Sequence, residues 1–171
     1  KKADEASISE TVLGAVEKAL DALTKMRLKE GEALKKDILE KNANLLQMVE
    51  AIEIRSPEVV VQYCERLQNR LGELLTEVPI DEGKMATEIA LFADKCAIDE
   101  EITRLKSHIN QLDEILTEGH VVGRKLDFLM QEMNREAYTI GSIDNDYEIT
   151  KMVVTLKTEI EKIREQVQNI E

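Results

Sequence analysis

Residues 149–170 read ITKMVVTLKTEIEKIREQVQNI, and this stretch decides the fold class. Its aliphatic residues recur at alternating intervals of four and three, the heptad spacing of a helix that buries one face. They are Ile149, Val153, Leu156, Ile160, Ile163, Val167 and Ile170. Charged and polar residues occupy the positions between them. The stretch therefore predicts a long amphipathic helix.

The same periodicity fills the first half of the chain. It predicts a first helix from about Ser9 to Ile54, which is longer than a compact domain of this size needs. Such a helix must pack against partner helices in its own chain or in another. Ser56-Pro57 is interpreted as a stop and restart, because serine caps helices and proline favours the first helical position. A second helix follows and extends to Val78.

Shorter helices are expected in the second half. One begins near Asp81, and its pattern is interrupted at residues 94–97, where either a kink or a true break fits. Gly119 is expected to end the helix that follows. Another is expected from Val122 to about Ile140, before a polar turn over residues 141–146.

Composition supports an all-α fold of long helices, packed as an extended antiparallel bundle or coiled-coil-like assembly. Charged residues make up 34% of the 171 residues, and only two prolines and seven glycines interrupt the chain. We expect residues 1–80 to form a long helical arm and a helical hairpin, a region for partner helices or oligomerisation. Residues 81–171 are expected to form a C-terminal helical domain that carries the candidate catalytic segment.

The net charge of −12 argues against binding of a polyanion by the whole surface. A local basic strip and an acidic cation site both remain compatible with it. Cys64 and Cys96 form no CxxC pair, which favours reduced thiols in a cytoplasmic protein. No apolar run approaches the ~20 residues of a membrane span.

Two polar clusters carry more specificity than a solvated helix face needs. Glu101, Arg104 and His108 are spaced so that they share one helical face. Glu132 and Glu136 are four residues apart, so their like charges face each other at a cost unless a cation or an arginine lies between them. Carboxylates with one imidazole suit Mg²⁺ or Mn²⁺. The ordinary interpretation is that Glu101 and Arg104 form a surface ion pair, that His108 is a surface or packed histidine, and that the two glutamates are an exposed repulsive pair. Periodicity alone favours a structural or interaction protein over an enzyme.

A resemblance to a known family changes that balance. Residues 123–137, GRKLDFLMQEMNREA, resemble the hallmark segment of the YicC/YloC family. Residues 26–31, with Met-Arg followed by Glu-Gly, resemble a second element, and residues 88–108 and 161–171 resemble two more. The resemblance covers essentially the whole chain.

The resemblance implies a metal-dependent endoribonuclease that cleaves RNA in the bacterial cytoplasm with Mn²⁺ or Mg²⁺. It also implies a homo-oligomer such as a hexamer, and an N-terminal domain with β structure that this chain does not include. The activity of this part alone is left open. Because the chain has only five aromatic residues, we expect little base stacking, and hence recognition of the RNA backbone with weak sequence preference.

The resemblance also suggests roles for individual residues. The catalytic candidates are Glu132, Glu136, His108 and Asp127. The metal-ligand candidates are Glu101, His108, Glu132 and Glu136. The RNA-binding candidates are Lys95, Arg104, Arg124 and Arg135.

Three positions depart from the family pattern as we expect it. The family pattern leads us to expect an acidic residue where Ala97 stands, asparagine where Tyr138 stands and lysine where Ile143 stands. The absence of these three side chains bears on the catalytic activity of this chain. The alternative function is a non-catalytic RNA-binding or oligomerisation module. In that module the acidic residues and His108 would form ion pairs between subunits.

Overall fold

The computed structural model describes residues 2–75, 79–118, 123–143 and 146–168, with side chains from residue 7 onward. The described residues form five α-helices and no strand, which confirms the all-α class. The helices are α1 (Lys2–Leu74), α2 (Glu82–Lys95), α3 (Asp99–Glu118), α4 (Gly123–Ile143) and α5 (Tyr147–Val167). Within the described part, none of these helices combines the length and the apolar character needed to cross a membrane.

Helix α1 corrects the predicted break at Ser56-Pro57. It is continuous from Lys2 to Leu74, and Pro57 lies inside it. Proline in a helix interior costs ~3 kcal/mol because it lacks an N–H and crowds the preceding turn. The buried face nevertheless continues across the proline, since Val49 and Ile52 before it and Val59 after it are all buried. The burial of apolar residues on both sides of Pro57 offsets this local cost. The sequence around the proline does not reveal that burial.

The interruption at residues 94–97 is a true break. Helix α2 begins after Asp81, as predicted, and the Asp81 carboxylate caps it by accepting from the backbone N–H groups of Gly83 and Lys84 at 3.1 Å. The chain leaves α2 through Cys96 and enters α3 at Asp99. Cys96 and Ile98 are both buried, so this short connection is anchored in the core.

Helices α3, α4 and α5 pack side by side, with α4 in the middle. The predicted α5 stripe is buried from Ile149 to Val167, while Ile170 and Gly119 lie outside the described residues. Helices α4 and α5 are antiparallel, because Asn134 near the middle of α4 contacts Glu161 and Gly141 near its end approaches Val153. Helix α4 extends to Ile143, so residues 141–143 of the predicted polar turn are helical.

The second half of α1 is tied to α3 and to the start of α5. Buried Asn42 donates to the backbone oxygen of Ile109 at 2.7 Å and to Asp113 at 2.8 Å. Arg55 forms an ion pair of 2.8 Å with Asp146, the N-cap of α5. Hydrogen bonding to Arg55 lowers the pKa of Asp146 below its ordinary value. These contacts fix α3 in place for the site described below.

The chain divides into two compact units, Lys1–Ile38 and Leu39–Glu171. The boundary between these units lies after Ile38, whereas the sequence-based domain boundary lies at residue 80. Large aliphatic side chains of the first unit are exposed, among them Val12, Leu20 and Leu23. The second unit contains α2 to α5 and every residue of the candidate site.

Candidate functional site

Three predicted site residues converge between α3 and α4. His108 lies on α3, and Glu132 and Glu136 lie one turn apart on α4. One ligand atom from each residue lies within 4.8 Å of the other two. We call these three residues the acidic cluster. Its geometry is a consequence of helix packing, because the apolar stripes of α3 and α4 face each other and bring their flanking polar residues together.

The acidic cluster is partly shielded from solvent. The side chain of Glu136 is 8% exposed and that of Glu132 is 28% exposed. Glu136 is followed by buried Ala137 and preceded, one turn back, by buried Met133. Placing a charged carboxylate there is costly unless a partner compensates its charge.

Arg104 supplies part of that compensation. Its guanidinium Nε lies 2.9 Å from Glu136 Oε2, and its other nitrogens reach Glu101 at 2.9 Å and Glu100 at 3.2 Å. The hydrogen bond to Glu136 is the main reason that the pKa of Arg104 is raised. Arg104 therefore links the predicted ligand Glu101 to the acidic cluster, although Glu101 itself lies outside the group of three.

His108 Nδ1 has no hydrogen-bond partner in the described part of the chain. This atom is buried and accepts or donates no hydrogen bond among the described residues. Buried polar side-chain atoms almost always have a partner, so this one calls for a water or an ion that completes it. An unprotonated ring nitrogen is also a common metal ligand.

The residues fit a divalent cation. Two carboxylates and an imidazole are a donor set suited to Mn²⁺ or Mg²⁺. Each carboxylate has two oxygens, so Glu136 can bond to Arg104 through one and bind a cation through the other. Three protein ligands leave positions for water, as catalytic sites require.

Of the remaining predicted site residues, Arg135 approaches the acidic cluster and the others lie elsewhere. Asp127 faces α5, where it lies 3.3 Å from Arg164 and accepts from Gln131. Lys95 is the last residue of α2 and Arg124 lies in the first turn of α4, and among the described residues neither contacts the acidic cluster. Arg135 is exposed and its guanidinium lies 3.9 Å from Glu132.

Sequence reasoning missed the groove between α4 and α5. Arg135 lines this groove together with Lys157 and Lys162 of α5. In the sequence the two lysines are simply two of the charged residues between the heptad positions. Only the antiparallel register of α4 and α5 brings them beside Arg135, because the heptad pattern of one helix carries no information about its neighbour.

The three positions that depart from the family pattern are not clustered. Ala97 is exposed in the connection between α2 and α3, and Ile143 ends α4 half-buried. Tyr138 is exposed on α4, where Lys157 Nζ lies 5.3 Å from the centre of its ring.

The fold and the acidic cluster define an all-helical protein with a candidate divalent-cation site. Residues 52–171 match the family model described as endoribonuclease YicC-like, C-terminal. A protein of Clostridioides difficile named probable endoribonuclease YicC is 48% identical over 172 residues and covers 100% of this chain. A protein of Haemophilus influenzae with the same name is 38% identical over 167 residues and covers 96% of it. The chain belongs to the YicC-like endoribonuclease family and matches its C-terminal part. It spans 59% and 57% of the length of these two relatives.

Proposed function

We propose that this chain carries the catalytic site of a metal-dependent endoribonuclease that cleaves RNA phosphodiester bonds. The observation that carries the proposal is the acidic cluster with its unpartnered histidine nitrogen. Membership of the family and the names of the two relatives supply the class of substrate. RNA is the proposed partner, the cytoplasm the proposed location, and a homo-oligomer the proposed assembly.

The proposed mechanism assigns separate roles to the residues of the site. His108, Glu132 and Glu136 would hold the cation, Mn²⁺ or Mg²⁺. With the cation bound, the site gains an activated water and a positive charge that stabilises the phosphate. Glu132 is also the more exposed carboxylate, so its second oxygen is placed to accept the proton of the attacking water. Arg104 orients Glu136 and compensates part of its buried charge through their contact of 2.9 Å.

One observation favours the alternative function. Arg104 already pairs with Glu101 and Glu136, which reduces their need for a cation. A non-catalytic RNA-binding or oligomerisation module needs no more than such pairs. His108 and Glu132 distinguish the two proposals, because Arg104 contacts neither of them among the described residues.

The test is an RNA-cleavage assay with Mn²⁺ or with EDTA. It compares the wild-type chain with Glu132→Gln and His108→Ala variants whose helicity and oligomeric state are unchanged. A matched control is Glu114→Gln with Glu118→Gln, an exposed glutamate pair of the same spacing on α3. We expect metal-dependent cleavage in the wild type and the control, and none in the site variants. Cleavage that survives EDTA contradicts the metal mechanism, and RNA binding without cleavage favours the module.

A further inference from the structure

The solvent face of α4 carries two exposed aromatic rings with an arginine between them. Phe128, Gln131, Arg135 and Tyr138 are spaced by three, four and three residues, so they share one face of the helix. We call this row the α4 ridge. It extends about 15 Å, since ten residues rise 1.5 Å each.

Both rings of the α4 ridge are open to solvent. Phe128 is 63% exposed and Tyr138 is 65% exposed. By contrast, Tyr63 and Phe92 stack on each other with ring centres 3.7 Å apart. Exposed rings on one face mark a binding surface more often than scattered single rings do.

The cations beside the α4 ridge indicate an anionic partner. Lys157 lies over the Tyr138 ring at 5.3 Å and forms no ion pair with the described residues. Arg135 sits between the rings and is largely exposed. The chain has a net charge of −12, so its surface is mostly negative. An ammonium group without an ion-pair partner among the described residues, beside an aromatic ring, departs locally from that negative surface. Such a cation holds the ring in place and is also available to a phosphate.

The carboxylates of the neighbouring groove are already engaged. Glu161 accepts from Asn134 at 3.2 Å and pairs with Arg164 at 3.4 Å. Glu165, the other carboxylate that lines the groove, also has an interaction partner, and Lys162 of the groove pairs with nearby Glu159 at 2.6 Å. The negative charges beside the ridge are therefore partly neutralised within the protein, which lowers the repulsion that an RNA strand meets there.

The α4 ridge is adjacent to the acidic cluster. Arg135 reaches Glu132, a residue of the cluster, at 3.9 Å. A strand lying along the ridge would pass the candidate catalytic site within one helical turn.

We propose that the α4 ridge, with Lys157, is a stacking track for single-stranded RNA that delivers the strand to the acidic cluster. Bases stack on Phe128 and Tyr138, and Arg135 and Lys157 contact the phosphates between them. The proposal rests on the proposed function for its substrate class. It replaces the expectation of little base stacking, because the placement of the aromatic residues matters more than their number.

The test measures binding without chemistry. A fluorescein-labelled single-stranded oligoadenylate RNA and an abasic strand of the same length are titrated with the chain in EDTA, and anisotropy is recorded. The abasic strand has the same phosphates and no bases. We expect the wild type to prefer the strand with bases.

The variants separate stacking from charge. Tyr138→Leu and Phe128→Ala should each weaken binding of the oligoadenylate about 5- to 100-fold and leave the abasic strand unchanged. Tyr138→Phe keeps the ring and should bind as the wild type does. Arg135→Ala should weaken binding of both strands. Tyr147→Ala, an equally exposed tyrosine at the start of α5, is the matched control and should have no effect.

Three results would overturn the proposal. These are wild-type binding that does not prefer bases, Tyr138→Leu binding as tightly as the wild type, and equal losses on both strands. Sedimentation of each variant gives its mass, and a lower mass with unchanged RNA affinity shows that the ridge is a subunit contact instead. Binding is measured in EDTA, so it does not depend on cleavage. If the protein binds RNA as expected but does not cleave it, the proposed function is contradicted and the proposed stacking track is not.

Discussion

Replacing Glu132 with glutamine should change stability in opposite directions with and without metal. Ligand atoms of Glu132 and Glu136 lie within 4.8 Å of each other. Two unit charges at that distance repel by ~3.5 kcal/mol at an effective dielectric constant of about 20. Arg104 pairs with Glu136, Arg135 lies 3.9 Å from Glu132, and the Glu132 side chain is 28% exposed, so most of that repulsion is offset. A net cost of ~1 kcal/mol remains in the metal-free protein.

Glu132→Gln removes this repulsion and keeps the shape of the side chain. Without metal, we expect the variant to unfold about 2–4 °C higher than the wild type. With free Mn²⁺ at about 100 times its Kd, the wild type gains ~2.7 kcal/mol, or about 5–10 °C. The Glu132→Gln variant has lost one metal ligand, so adding Mn²⁺ should increase its stability only slightly. The order of the two melting temperatures should therefore reverse when Mn²⁺ is added.

The assay is thermal unfolding followed by circular dichroism, in EDTA and in a series of Mn²⁺ concentrations. Glu114→Gln is the control, because it removes one of two exposed glutamates of the same spacing from α3. It should gain only ~0.2–0.5 kcal/mol in EDTA and respond to Mn²⁺ as the wild type does. Equal Mn²⁺ responses in the wild type and Glu132→Gln would refute the site. A Glu132→Gln variant that is less stable in EDTA would refute the electrostatic reasoning.

Three further predictions concern stability. Asn42→Ala should cost ~1–3 kcal/mol in denaturant unfolding, because it removes the buried hydrogen bonds that join α1 to the Ile109 carbonyl and to Asp113 of α3. Exposed Asn44→Ala should change stability by less than about 0.5 kcal/mol. The pKa of Asp146 is lowered by its pairing with Arg55, so this pairing stabilises the fold above about pH 4 and its contribution is lost as the pH falls further. Asp146→Asn should therefore make the free energy of unfolding less dependent on pH in the acidic range. Gly141→Ala should destabilise relative to Gly72→Ala, since an added Cβ at Gly141 meets a valine of α5 at 3.0 Å and one at Gly72 meets nothing within 4 Å; equal effects would contradict the close approach of α4 and α5.

The local features of the chain were predictable because their causes are local. The 4-3 spacing of α5 fixes which residues it buries, and the structure buries Ile149 to Val167 as predicted. The cap at Asp81 needs only the backbone of the next turn. Glu132 and Glu136 share a face because the helix repeat places them one turn apart.

The features that depend on neighbouring helices were not predictable. Pro57 usually ends a helix, and burial on both sides of it keeps α1 continuous. Asp127 was grouped with the catalytic residues, yet the rotation of α4 turns it toward Arg164 on α5. The heptad pattern of a single helix does not report which neighbour it packs against, or in which register.

For the candidate site, the sequence by itself determined the residue types and their helical faces. The tertiary structure alone decided that His108 of α3 meets Glu132 and Glu136 of α4, and that Arg104 joins Glu101 to them. It also decided that Lys157 lies over Tyr138. The physical reason is that helix periodicity depends only on residues a few positions apart in the sequence. The distance between side chains on different helices depends instead on how the apolar faces of those helices pack.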